Sequence, residues 1–226
     1  MEKKQVNGHP FIPYRPDVLD ENSMIEGSSN FLSKIKTRRS VRYFSKRDIP
    51  REIINNLIET ASSAPSGANK QPWVFCVVKN QDIKKKIRQA AEKEEYESYH
   101  NRMNEDWIND LRPLGTNWEK PFLEEAPYLI VVFKKVYEPG PSGNKVNNYY
   151  VNESVGLACG FLLAAIQMTG LAALTHTPSP MNFLTDILNR PENERPFLLI
   201  PVGYPSEDCY VPDIQRKKLE EVVEFY

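Results

Sequence analysis

The chain is poor in the residues that side-chain catalysis most often uses. It has three histidines, His9, His100 and His176, too dispersed for a convincing metal site. It has three cysteines, Cys76, Cys159 and Cys209, an odd count with no CxxC spacing. Cys76 and Cys159 lie inside apolar runs, VFCVV and GLACGFLL, so packed and reduced thiols are expected rather than a disulfide framework or a structural zinc site. No GxGxxG follows a strand-like run, and no GxxxxGK[ST], HExxH or GxSxG occurs. An enzyme built on this chain is expected to let a bound cofactor carry the difficult step.

An excess of charge is also missing. Lys and Arg number 29 against 30 for Asp and Glu, a net charge of -1. No global basic field draws in nucleic acid or an anionic membrane, so neither is expected as a partner. Long apolar runs are scarce. The most apolar stretch, Val155 to Met168, is shorter than the roughly 20 residues that span a bilayer and contains Gln167. It reads as a helix buried on most sides, capped by Asn152 or Ser154. Residues 1–30 lack the apolar core of a signal peptide or membrane anchor, so a cytoplasmic location is expected.

What is present suits a single domain with excursions: 226 residues, of which 40% are hydrophobic, enough for one core. Residues 1–30 read as an arm with no sustained period, able to wrap a surface or a partner subunit. A short amphipathic helix follows over 30–36. Ile53, Ile54, Leu57, Ile58 and Ala61 recur at helical spacing behind Pro50. Trp73–Val78, Tyr128–Phe133, Leu171–Thr177 and Phe197–Val202 read as strands, the first two as buried ones. Residues from Asp82 to about Leu111 are charged and helical in composition, with an apolar stripe that fades after Ala91. Residues 139–148 read as an exposed loop, and Phe183, Ile187 and Leu188 as a short helix. Strands and helices alternate irregularly, which suits a mixed sheet with helices on both faces.

Four segments can carry chemistry. Arg38, Arg39, Ser40 and Arg42 place three guanidiniums and a hydroxyl within five residues, enough to wrap a phosphate dianion; a solvated basic turn has the same composition. Pro65 to Trp73, PSGANKQPW, lets backbone approach a flat ligand, or merely joins a helix to a strand. Thr175, His176 and Thr177 end a strand before Pro178, where open sheets place ligands. Pro201 to Pro205, PVGYP, precedes a second basic cluster, Arg216, Lys217 and Lys218.

In this order the four segments resemble the nitroreductase family, whose members carry an RRSxR phosphate motif, a PSG-type loop before a PW pair, a GYP-like turn and a basic residue near the C-terminus. The resemblance covers residue 30 to the end. It implies an α+β fold: a mixed, largely antiparallel sheet flanked by helices, in an intertwined homodimer with FMN at the subunit interface. The domain would span 31–226 behind the arm at 1–30. Residues 92–120 resemble the active-site lid of the iodotyrosine deiodinases within that family. The match runs through Glu95, Tyr99, Asn101, Arg102, Met103, Thr116, Asn117, Trp118 and Lys120.

The resemblance assigns roles residue by residue. Arg38, Arg39, Ser40, Arg42 and Arg216 would hold the FMN phosphate. Ser66 and Gly67 would flank the flavin ring, and the backbone of Ala68 would meet the substrate phenolate. Thr175, His176 and Thr177 would lie near the flavin, with Thr177 as the catalytic hydroxyl donor. Glu95, Tyr99 and Lys120 would clamp the amino-acid end of a halotyrosine. From below, Glu95 and Tyr99 are four apart and share a helix face, and the trio suits a zwitterion; an exposed charged helix would show the same spacing. His176 departs from the smaller polar residue expected there. The implied reaction is reductive dehalogenation of mono- and diiodotyrosine, with electrons from NAD(P)H or a reductase. A general NAD(P)H-dependent nitroreductase or quinone reductase would share the flavin residues without the clamp. A non-catalytic flavin- or amino-acid-binding protein is a third reading, which turnover with a chemical reductant would separate.

Overall fold

The computed structural model describes residues 3–226. The chain divides into two compact units, one running to Thr37 and the other from Arg38 to Tyr226.

The first unit is more ordered than its sequence suggests. Strands β1 (Lys4–Val6) and β2 (His9–Phe11) form an antiparallel hairpin, turned by Asn7 and Gly8, both at positive φ. Helix α1 (Glu21–Lys36) begins nine residues before the expected start at 30. The reason is local. Asp20 accepts from the Ser23 backbone N–H at 3.0 Å, an N-cap the apolar pattern does not reveal. None of the residues of α1 is buried.

In the second unit helix α2 (Arg51–Ser62) precedes strand β3 (Trp73–Val78) and helix α3 (Gln81–Glu97). Helices α4 (Glu105–Leu111) and α5 (Phe122–Glu125) lead into strand β4 (Tyr128–Lys135). Strands β5 (Tyr137–Pro139) and β6 (Lys145–Asn147) make a small hairpin where a loop was expected. Helix α6 (Val151–Met168), strand β7 (Ala172–Ala173), helix α7 (Asn182–Ile187) and strand β8 (Glu194–Gly203) complete the fold.

The central sheet has the order β3-β4-β8-β7, and each neighbouring pair is antiparallel. A parallel bridge between Ser40 and Ala173 makes it mixed at its edge. Strand β4 explains the continuous apolar run YLIVVF. Tyr128, Ile130 and Val132 point to a core built with α2 and α6, whereas Leu129, Val131 and Phe133 point to a second core with α3, α5 and α7. Both faces are covered by helices, so alternation disappears although the sheet is antiparallel. Gly203 ends β8 where a Cβ would stand 2.7 Å from Pro127 Cδ and 3.0 Å from Phe44 Cδ1, so the PVGYP turn has no room for a side chain.

Two expectations about α6 are corrected. Its N-cap is Tyr150, in the left-handed conformation, and not Asn152 or Ser154; Ser154 instead donates from its hydroxyl to the Tyr150 carbonyl at 2.6 Å. The helix is buried on one side rather than most. Val155, Ala158, Leu162 and Ile166 face the core, while Leu157, Phe161 and Met168 form an exposed apolar stripe. By length and composition α6 could cross a membrane, but its buried face packs into the same core as α2 and the sheet.

Candidate active site

Two adjoining cavities form on one side of the second unit, and Arg42 lines both. The first, of about 270 Å³, is walled by Arg38, Arg39, Ser40, Arg42 and Arg216, with Leu114, Pro212, Ile214 and Gln215. Backbone pairing sets it up. Ser40 bridges Ala173, and the Val41 N–H donates to the Ala173 carbonyl at 3.1 Å, which fixes the RRSVR segment along the sheet edge. Arg39 donates to the Pro212 carbonyl, and Arg216 donates to the Arg38 carbonyl at 2.6 Å. The tail is thereby fastened to a segment 178 residues away. Burial, then the charges of Arg216 and Arg39, pulls the Arg38 pKa down, and burial does the same at Arg42. A cluster of crowded guanidiniums has the chemistry to hold an anion, because a dianion would remove the mutual repulsion.

The second cavity, of about 170 Å³, holds Glu95, Tyr99, Lys120, Thr175, His176 and Thr177. Glu95 lies in the last turn of α3, and Tyr99 follows in a π-turn over Ser98–Arg102. The helix therefore does not run on to Leu111 as expected; Asn104 starts α4 by accepting from the Trp107 N–H at 2.9 Å. Lys120 Nζ lies 3.4 Å from Glu95 Oε2, donates to Thr116 Oγ1 at 3.3 Å and also donates to the Asn117 carbonyl. Tyr99 donates to the Thr116 carbonyl at 3.3 Å. Burial raises the Glu95 and Tyr99 pKa values and lowers that of Lys120, and the ion pair opposes the shift at both of its ends.

The strand expected over Leu171–Thr177 is only Ala172–Ala173, followed by a single bridge from His176 to Leu199. That bridge still imposes alternation: Thr175 and Thr177 are exposed and His176 is buried between them. Burial, then the charges of Lys120 and Arg42, holds the His176 pKa down at about 3. Its 3.9 Å approach to Glu95 is therefore a contact of a neutral ring with a carboxylate, not an ion pair.

Ser66, Gly67 and Ala68 line neither cavity. They sit at the start of α6, where the Gly67 N–H donates to Ser154 Oγ at 3.4 Å. A Cβ on Gly67 would stand 3.0 Å from the Tyr150 ring, and Ala68 adopts a positive φ of 46°.

The Nitroreductase family pattern matches residues 35–204. The chain is 61% identical over 216 residues to the iodotyrosine deiodinase of Haliscomenobacter hydrossis, covering 96% of this chain and 97% of that one. The chain belongs to the iodotyrosine deiodinase branch of the nitroreductase family. It is 44% identical over 213 residues to Homo sapiens iodotyrosine deiodinase 1, covering 94% of this chain and 74% of that one. A crystal structure of oxidized iodotyrosine deiodinase bound to FMN and 3-iodo-L-tyrosine superposes with a TM-score of 0.72 at 33% identity, over 87% of this chain and 98% of that chain.

The segment 92–120 contributes more to the second cavity than its charge pattern indicates: Met103, Trp107 and Leu111 line it, and Phe122 and Leu174 from outside the segment complete an apolar wall. Asn104, which caps α4 by accepting from the Trp107 N–H, is the sequence signal for the helix that carries Trp107 and Leu111. Pro212, Ile214 and Gln215, in the first cavity, had no sequence signal beyond their closeness to Arg216.

Proposed function

We propose that this protein converts mono- and diiodotyrosine to tyrosine plus halide by FMN-dependent reduction. The observation that carries this is the pair of half-buried Glu95 with buried Lys120 beside Tyr99, in a cavity joined through Arg42 to the arginine cradle. A carboxylate, a phenol and an ammonium in one wall match the two ends of an amino acid, and a small nitroarene or quinone needs none of them.

The cradle fits the phosphate of FMN by its chemistry: guanidiniums from Arg38, Arg39, Arg42 and Arg216 and the hydroxyl of Ser40 surround one space. When bound, FMN supplies the electrons that replace the carbon–halogen bond with a carbon–hydrogen bond. The chain does the rest. Glu95 takes the substrate ammonium, and Lys120 and Tyr99 take its carboxylate. Trp107, Met103 and Leu111 shed water from the aromatic ring. Thr177 holds the hydroxyl proton at the cofactor's edge, with Thr175 on the same face and His176 turned inward. Ser66, Gly67 and the Ala68 backbone serve the flavin ring and the substrate phenolate.

Those last three residues line neither cavity within one protomer, which supports a homodimer whose second copy brings the loop to the flavin. The exposed stripe of Leu157, Phe161 and Met168 on α6 supports the same arrangement. The reading includes NAD(P)H or a reductase as electron donor. It also includes a cytoplasmic location, which the free thiols of Cys76, Cys159 and Cys209 support.

The test is anaerobic turnover of 3-iodotyrosine by purified protein with a chemical reductant, following iodide and tyrosine, with mass analysis of the released cofactor. Equal amounts of both products and an FMN mass are expected. Reduction of a nitroarene with no iodide release would make the protein a general reductase.

A further inference from the structure

In the wall of the second cavity, His176 is a buried polar side chain to which the chemistry above gives no task. Its backbone is fixed twice: its N–H donates to the Leu199 carbonyl at 2.9 Å, and the Leu199 N–H donates to its carbonyl at 3.0 Å. With Thr175 and Thr177 exposed, this register turns the imidazole inward, away from both hydroxyls. Phe122 meets the ring edge-on, with centroids 5.6 Å apart. The residue is 8% exposed, and Nε2 is buried without a hydrogen-bond partner. An orphaned buried nitrogen carries its full desolvation cost unless some state of the protein supplies a partner.

The group that faces this nitrogen is Glu95, whose Oε1 lies 3.9 Å from Nε2 in the wall of the same cavity. We propose that His176 is a positioning residue that holds the Glu95 carboxylate for the substrate ammonium and so sets the preference for ligands carrying that ammonium. This rests on the halotyrosine reading above.

The argument is one of exchange. Glu95 Oε2 is paired with Lys120 at 3.4 Å. A zwitterion brings a carboxylate for Lys120 and an ammonium for Glu95, so it separates the pair. Glu95 then needs another donor to stay fixed in a site where burial disfavours its charge. A shift of about 1 Å brings Oε1 within hydrogen-bond range of Nε2. The imidazole is neutral, because burial and the charges of Lys120 and Arg42 oppose its protonation. A neutral ring has one N–H; placed on Nε2, it donates to the carboxylate without cancelling its charge. A cation there would compete with the ligand ammonium.

The experiment titrates FMN-loaded protein with 3-iodotyrosine and with its deamino analogue, 3-(4-hydroxy-3-iodophenyl)propionate, following flavin fluorescence. His176→Leu should weaken iodotyrosine binding about 10-fold and leave the analogue within about twofold. His176→Gln, whose amide N–H reaches the Nε2 position, should restore most of the loss. Glu95→Gln combined with His176→Leu should bind iodotyrosine no more weakly than Glu95→Gln alone. If His176→Leu does not fold, His176→Met keeps the length without the donor and should show the same split. The proposal is overturned if the donor-less variants bind iodotyrosine as the parent does, lose both ligands equally, or add their full effect to Glu95→Gln. Failure of the underlying reading shows separately, in proteins that keep His176, as equal iodotyrosine binding by the parent and by Glu95→Gln.

Discussion

Lys120 Nζ lies 3.4 Å from Glu95 Oε2, with 3% of the lysine side chain and 13% of the glutamate side chain exposed. The two residues satisfy each other in the place where an amino acid would satisfy both. A buried pair of this kind is costly to half-break, because the remaining charge has no solvent to turn to. On the proposed reading, a ligand that offers one charge competes poorly with the internal pair, a ligand that offers both can exchange with it, and selectivity for a zwitterion follows from the pairing.

The arginine cradle predicts that Arg38→Ala lowers FMN affinity by about 1.5–3 kcal/mol, the range for a charge-assisted hydrogen bond. The apo-protein should unfold in urea as the parent does, since Arg38 lies on the cavity wall and not in either core. Flavin fluorescence titration measures the first effect. An unchanged affinity would remove Arg38 from the phosphate site.

The apolar stripe of α6 predicts a dimer that a single charge can split. Leu157 is 49% exposed at the N-terminal end of the stripe. Leu157→Arg should give monomers by light scattering and should lose flavin with the partner. A parent protein that scatters as a folded, flavin-loaded monomer of 26.1 kDa would contradict the dimer.

No residue from Glu92 to Glu119 is buried, so little apolar contact holds this segment down. Limited proteolysis should cut within it, and a halotyrosine should slow that cleavage by ordering Glu95, Tyr99 and Lys120. Equal cleavage with and without the ligand would show that the segment does not close on the substrate.

The depressed pKa of His176 predicts acid sensitivity. Its folded value, about 3, lies below the ordinary 6.5, so a protonated unfolded chain is favoured as the pH falls between them. The stability contribution is complete above pH 6.5 and is lost toward pH 3. Lys120, Arg42 and Glu95 are the charged groups around the ring, and the two cations reinforce the direction. Between pH 7 and pH 5 the parent should lose about 2 kcal/mol more than His176→Gln, at roughly 1.4 kcal/mol per pH unit per proton. Urea unfolding at both pH values measures this. Parallel losses would mean that His176 titrates normally.

Much of this was legible in the chain because the decisive signals are local. The run YLIVVF marks β4 whatever its partners, and RRSVR places several guanidiniums in one turn. Signals that depend on tertiary context were hidden. Pro196 disguised the first part of β8, where the register shifts between Val132 and Phe133 and no β7 residue pairs beyond. The fading stripe after Ala91 gave no sign of the π-turn that places Tyr99. The inward turn of His176 comes from a two-bond bridge to Leu199, which nothing in THTP encodes. The halves of α6 look alike in composition, so its exposed stripe is visible only once the core has chosen the other face.

The central claim is that Glu95 recognises the amino-acid end of a halotyrosine and plays no part in reduction itself. The direct measurement is the ratio of 3-iodotyrosine deiodination to small-nitroarene reduction, as kcat/KM, in the parent and in Glu95→Gln. Loss of one charge-assisted bond should lower the deiodination value by about 1–3 kcal/mol and leave nitroarene reduction within about twofold. If both activities fall together, or neither falls, the clamp is misassigned and the account of this cavity is wrong.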